Sequence, residues 1–137
     1  MMQTFTAPLF ITMGKKKPKN YWLNTNNYRN WHPIVNNNIK KAFKASLDIS
    51  HLQPASAPIS LHYRFYYPDL SKRDIGNSLA IIDKFTADAL TAAEILIDDN
   101  YTVVTTITGE FGGIDKENPR CEVTIYSKKE HNDSNPS

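Results

Sequence analysis

The stretch from Lys72 to Val104, KRDIGNSLAIIDKFTADALTAAEILIDDNYTVV, decides how this chain is read. Leu79, Ile82, Thr86 and Ala89 form a helical stripe that Phe85 and Leu90 widen. The spacing predicts a helix from Asn77 or Ser78, either a suitable cap, to about Glu94, and then a strand over Tyr101 to Thr108. Asp74 falls at the mouth of that helix, Asp83, Lys84 and Asp88 lie along it, and Asp98 and Asp99 occupy the turn into the strand.

Acidic residues arranged in this way suit hard-cation chemistry. Mg²⁺ takes oxygen ligands and keeps several waters, so a few carboxylates from separate segments suffice. Such a cation polarises a phosphoryl oxygen and activates a water for phosphodiester cleavage. A lysine beside the carboxylates, here Lys84, limits their repulsion and stabilises charge that develops on phosphate. The ordinary explanation is that these aspartates are helix caps or solvated charges, and that Lys84 and Asp88 form a plain i,i+4 pair.

Toward the C-terminus, Phe111, Gly112 and Gly113 are expected to turn the chain, and Arg120 to Tyr126 alternates as a last strand. Cys121 reads as a small buried hydrophobe; standing alone, it excludes a disulfide framework. Residues 128–137 read as a polar, frayed tail on a single domain over 1–127.

Toward the N-terminus, Ile59 to Tyr67 has the clearest strand alternation in the chain. His62, on its polar face, is assigned no role. Pro54 and Pro58 bracket a short connection, and Ile34 to Leu47 is an amphipathic helix with a basic outer face. Gln3 to Met13 reads as a first strand, although Pro8 argues for an edge or a bulge. Between them the segment GKKKPKNYWLNTNNYRNWHP has neither apolar period and is expected to be a long ordered loop. Its residues Lys15, Lys16, Lys17, Lys19, Asn26, Asn27, Tyr28 and Arg29, together with Arg73, are candidates for nucleic-acid contact. Lys and Arg meet phosphates, Asn bonds phosphates or base edges, and aromatic rings stack on bases. The bland alternative is a satellite core under solvated lysines.

The whole sequence sets the bounds. Its 137 residues are 40% hydrophobic and 22% charged, of single-domain size, with no apolar run able to span a membrane. The expected location is the cytoplasm, because the N-terminal order of apolar and basic residues is wrong for a secretory signal. A net charge of only +2 hides an uneven distribution. From Lys15 to Lys44 there are eight lysines and arginines and no Asp or Glu, whereas the acidic residues gather after Asp69. A cationic surface for a polyanion is thus set apart from an anionic pocket.

Arg73-Asp74, then Lys84 through Asp88-Ala89-Leu90, then Asp98-Asp99 and Val103-Val104, form an ordered set that resembles the RusA family of Holliday junction resolvases, phage versions especially. The run Asn24, Asn26, Asn27, Tyr28, Arg29 after the first strand is also similar, so the resemblance spans most of residues 3 to 126. It implies an α+β fold, a small mixed β-sheet with two main helices. It also implies a homodimer that nicks four-way DNA junctions symmetrically with Mg²⁺, Mn²⁺ being the substitute. By resemblance, Asp74 and Asp99 are metal ligands and Lys84 the family lysine. The chain departs from the family at Asp74-Ile75-Gly76-Asn77, where the family has a second Asp in place of Gly76. Asp83 is expected to supply the missing oxygen, with Asp98 as the substitute. The competing expectation is a non-catalytic branched-DNA-binding protein with a degraded metal site.

Overall fold

In the computed structural model, which describes residues 1–127, the chain runs through β1 (Met2–Ala7), β2 (Phe10–Met13), β3 (Lys19–Trp22), α1 (Thr25–Asn30), α2 (Pro33–Ser46), β4 (Ile59–Tyr67), α3 (Ile75–Ala92), β5 (Val104–Ile114) and β6 (Arg120–Ser127). The architecture is α+β. A mixed four-stranded sheet has the order β1-β6-β4-β5, and β2 and β3 form a separate two-stranded ribbon. The expected tail, residues 128–137, lies outside the described residues.

Alternation in β4 sets the core. Ile59, Leu61, Tyr63, Phe65 and Tyr67 all point inward and are buried, and Cys121, Val123 and Ile125 of β6 oppose the middle three in antiparallel register. β5 runs parallel to β4, so α3 carries the chain back across the sheet. Onto this face α3 lays Ile82, Phe85, Ala89 and Leu90, and α2 adds Ile39 and Phe43. The Phe43 and Phe85 rings meet edge to face with centroids 5.6 Å apart. Each such buried side chain stabilises the fold by ~1.5–3 kcal/mol. No helix among the described residues is long and apolar enough to cross a membrane.

Four elements differ from the sequence expectation. The first strand breaks at Pro8 and Leu9 into β1, which pairs with β6, and β2, which pairs with β3. Pro8 has no N–H to give a ladder, so the break falls there. The long loop resolves into a hairpin and a helix of six residues, too short to impose a visible period. Gly14 turns the hairpin with φ +117, where a Cβ would meet the Lys17 carbonyl oxygen at 2.8 Å.

Helix α3 starts one turn earlier than Asn77, because Asp74 caps it. It ends at Ala92, just before Glu94 adopts the left-handed φ of 62 that lets Ile95 N–H reach the Leu90 carbonyl at 2.9 Å. Phe111, Gly112 and Gly113 do not turn the chain; they continue β5 as far as Ile114. Gly112 serves crowding within the sheet, since a Cβ there would sit 2.7 Å from the Tyr66 ring. The turn comes at Asp115, whose carboxylate accepts from Asn118 N–H at 3.0 Å.

Candidate functional site

Two helix caps meet at one cleft. Asp74, in extended backbone, accepts a hydrogen bond from Asn77 N–H at 3.3 Å, while Asn24 caps α1 by accepting from Asn27 N–H at 2.8 Å. Both belong to the wall of a cleft of 490 Å³, whose lining also includes Asn26, Asn27, Lys72, Arg73 and Asn77. The Asn-rich segment and the Arg73-Asp74 loop, about 45 residues apart in sequence, are therefore neighbours in space. Polar donors and a cation surround one carboxylate.

Several of the candidate residues have structural partners. The Asn27 side-chain amide donates to the Trp22 carbonyl at 3.0 Å, which fixes α1 to the end of β3. Tyr28 packs its ring against Trp31 and Phe85, with centroids 6.2 and 6.0 Å away, so it belongs to a satellite core under α1. Asn26 and Arg29 are exposed. Lys15, Lys16 and Lys17 project at the hairpin turn, also exposed, and the Lys19 ammonium lies 5.1 Å from the Tyr21 ring.

Arg73 is a strut as much as a surface cation. Its guanidinium donates to Asp69 at 2.8 Å and lies 4.7 Å from the Trp22 ring and 5.2 Å from the Tyr67 ring. The Arg73 hydrogen bond holds the Asp69 carboxyl down at about 2. Cation–π contact with two rings from separate strands ties the ribbon to the start of α3.

Halfway along α3 lies a second acidic group. The buried Tyr63 hydroxyl donates to Asp83 Oδ1 at 2.6 Å. Burial pushes the Asp83 carboxyl above its ordinary range, and the charges of Asp99 and Asp88 act in the same direction, against the Tyr63 hydrogen bond. Asp83 and Asp99 thus feel each other's field. Asp74 stands nine residues before Asp83, about 13 Å away along the helix axis. Asp98 closes the turn itself, accepting from Asp99 N–H at 2.7 Å and from the Asn100 amide at 3.0 Å, and these bonds lower its pKa. Lys84 is exposed, and Asp88 pairs with Lys40 of α2 at 3.8 Å.

A divalent cation can be matched to these residues in two places. Asp74 offers one carboxylate, and Gly76 next to it leaves room where a Cβ would lie 3.1 Å from Asp74 Oδ1. Asp83 offers a second, with the charge of Asp99 acting on it, and Mg²⁺ binds one or two carboxylates and completes its shell with water and phosphate. Among the described residues no three His, Cys, Asp or Glu side chains form a metal-holding group. The residues present therefore fit a lightly held cation rather than a protein cage.

Tyr63, Tyr67 and Asp69 enter the site without having been singled out in the sequence as site residues. Tyr63 carried one usable signal: a tyrosine in the inward row of a central strand needs a partner for its hydroxyl. His62 is hydrogen-bonded, as its isolation suggests, with Thr108 on one ring nitrogen and Glu110 at 3.0 Å on the other. Neither a protein-family model nor a curated protein matches the chain.

Proposed function

We propose that this chain is a metal-dependent endonuclease of the RusA type, which resolves four-way DNA junctions by paired symmetric nicks as a cytoplasmic homodimer. One observation carries the proposal: the Asn-rich start of α1 and the Lys72 to Asn77 segment wall a single cleft. A phosphodiester backbone needs amide donors and cations beside a carboxylate, and that combination lies there.

Asn26 and Lys72 hold the backbone, while the lysines of the hairpin turn supply charge further out. Mg²⁺, or Mn²⁺ in its place, would be held either by Asp74 in the cleft or by Asp83 and Asp99, since Asp74 lies about 13 Å from Asp83 along the helix axis and cannot share an ion with it. That ion supplies an activated water and a polarised phosphoryl oxygen. Tyr63 keeps Asp83 Oδ1 fixed, so its other oxygen is the one left for a ligand. Lys84, exposed on the same helix, offsets the negative charge of the phosphate in the transition state.

The test is incubation of a synthetic four-way junction with the protein and Mg²⁺, which should give symmetric nicks at opposed strands. Binding without nicking at every metal concentration sinks the nuclease. It leaves the second reading, a non-catalytic branched-DNA-binding protein, which Gly76 favours because it puts no oxygen beside Asp74.

A further inference from the structure

Helix α2 carries Lys40, Lys41 and Lys44 close together and has no acidic residue. Lys40 and Lys44 stand at i,i+4, where like charges weaken a helix. Where α2 meets α3 the three lysines rim a hollow of 280 Å³, and Phe85, Ala89 and Ala92 of α3 belong to its wall. The carboxylate in that wall, Asp88, is taken by Lys40 at 3.8 Å. Lys41 and Lys44 are exposed and form no ion pair among the described residues. Free cations beside hydrocarbon suit a sugar-phosphate backbone, whose oxygens meet the ammonium groups while deoxyribose meets the alanines.

The hollow is aligned with the cleft. Asn77 lines the cleft and Asp88 lines the hollow, and with Lys84 they stand at i, i+7 and i+11 on α3. Those spacings return to within about 20° of one helical face. Along the axis Lys84 is about 10 Å and Asp88 about 16 Å from Asn77. One face of α3 thus runs from Lys72 and Asn77, past the exposed Lys84, to Lys41 and Lys44 on the neighbouring helix. It is a track of donors and cations, and its single acid is already paired.

We propose that Lys41 and Lys44 hold the backbone of a DNA arm that leaves the cleft and lies along α3. At ~3.4 Å per step, they meet it about five base pairs beyond the phosphate in the cleft. DNA as the occupant rests on the proposed reading of the cleft, but cleavage is not required, so the track serves a nuclease and a non-catalytic binder alike. An acidic protein segment would satisfy the lysines, yet nothing would make it follow the stripe back to Asn77.

Lys41→Gln combined with Lys44→Gln changes exposed side chains only, so the variant should keep the wild-type melt. In fluorescence anisotropy with a four-way junction, its slope of log affinity against log salt should fall by about 1.8, ~0.9 for each contact. Lys116→Gln, exposed between β5 and β6, should leave the slope unchanged. Position is tested on the DNA. A junction with uncharged methylphosphonate linkages about five base pairs from the branch point should bind the wild type as weakly as the unmodified junction binds the double variant. The double variant should bind both junctions alike. An unchanged salt slope, an equal loss per charge in Lys116→Gln, or protein and DNA changes whose losses simply add overturns the proposal. A junction that the wild type does not bind overturns it together with the reading of the cleft. A lowered slope in a protein that never nicks keeps the track and removes the nuclease; nicking with an unchanged slope does the reverse.

Discussion

The Tyr63 hydroxyl, buried in the central strand, donates a 2.6 Å hydrogen bond to Asp83 on α3, so the sheet itself fixes one carboxylate of the acidic pair. Tyr63→Phe removes the donor and leaves a half-buried carboxylate short of a partner. The cost should be about 1–3 kcal/mol, read from the shift in urea midpoint.

The same carboxylate carries a pH signature. Burial first, and then the charges of Asp99 and Asp88, raise the Asp83 pKa above its unfolded value. The folded state therefore binds this proton more tightly than the unfolded chain does. Its contribution to stability is fully present below the unfolded pKa and is lost as pH rises through the folded one. Asp83→Asn should flatten that fall in the mildly acid range, and denaturation midpoints measured from pH 3.5 to 7, about the span that matters, should show it. An identical slope in the two proteins would remove Asp83 from the titration.

Asp74 can be divided into cap and charge. Asn is as good an N-cap as Asp, so Asp74→Asn should leave stability within a few tenths of a kcal/mol, whereas Asp74→Ala should lose ~1 kcal/mol. In the nuclease reading Asp74→Asn also abolishes cleavage and leaves junction binding intact or tighter, because a negative charge near phosphate is gone. Cleavage at the wild-type rate by Asp74→Asn would make that aspartate a cap and nothing more.

Gly76 gives a test by addition. Gly76→Asp builds a carboxylate from a Cβ 3.1 Å from Asp74 Oδ1, so like charges are crowded in the absence of a cation and bridged in its presence. The variant should melt below the wild type without metal and gain more from added Mg²⁺, each tenfold of affinity being worth about 1.4 kcal/mol. Equal Mg²⁺ gains in the two proteins would place no cation near Asp74.

The hairpin lysines should act through salt. Replacing Lys15, Lys16 and Lys17 with Gln removes up to three phosphate contacts, and the slope of log affinity against log salt should fall by about 0.9 for each contact on duplex arms. An unchanged slope would take the hairpin turn out of the interface.

Sequence alone determined those parts that follow from a local period. The alternation of Ile59 to Tyr67, the stripe of Leu79, Ile82, Phe85 and Ala89, and the amphipathic run before Leu47 each state which side is buried, and burial drives packing whatever the neighbours are. The separation of a basic half from an acidic one followed from the order of the charges, whereas the α+β class was what the family resemblance implied. Only the tertiary structure decided what the polar residues do. Asp74, Asn27 and Asp98 satisfy backbone groups, Arg73 lies between two rings, and Tyr63 reaches Asp83, because a hydrogen bond depends on a few tenths of an ångström between segments distant in sequence. Gly112 shows the same limit: beside Gly113 it reads as a turn, and only the Tyr66 ring pressed against it reveals a strand.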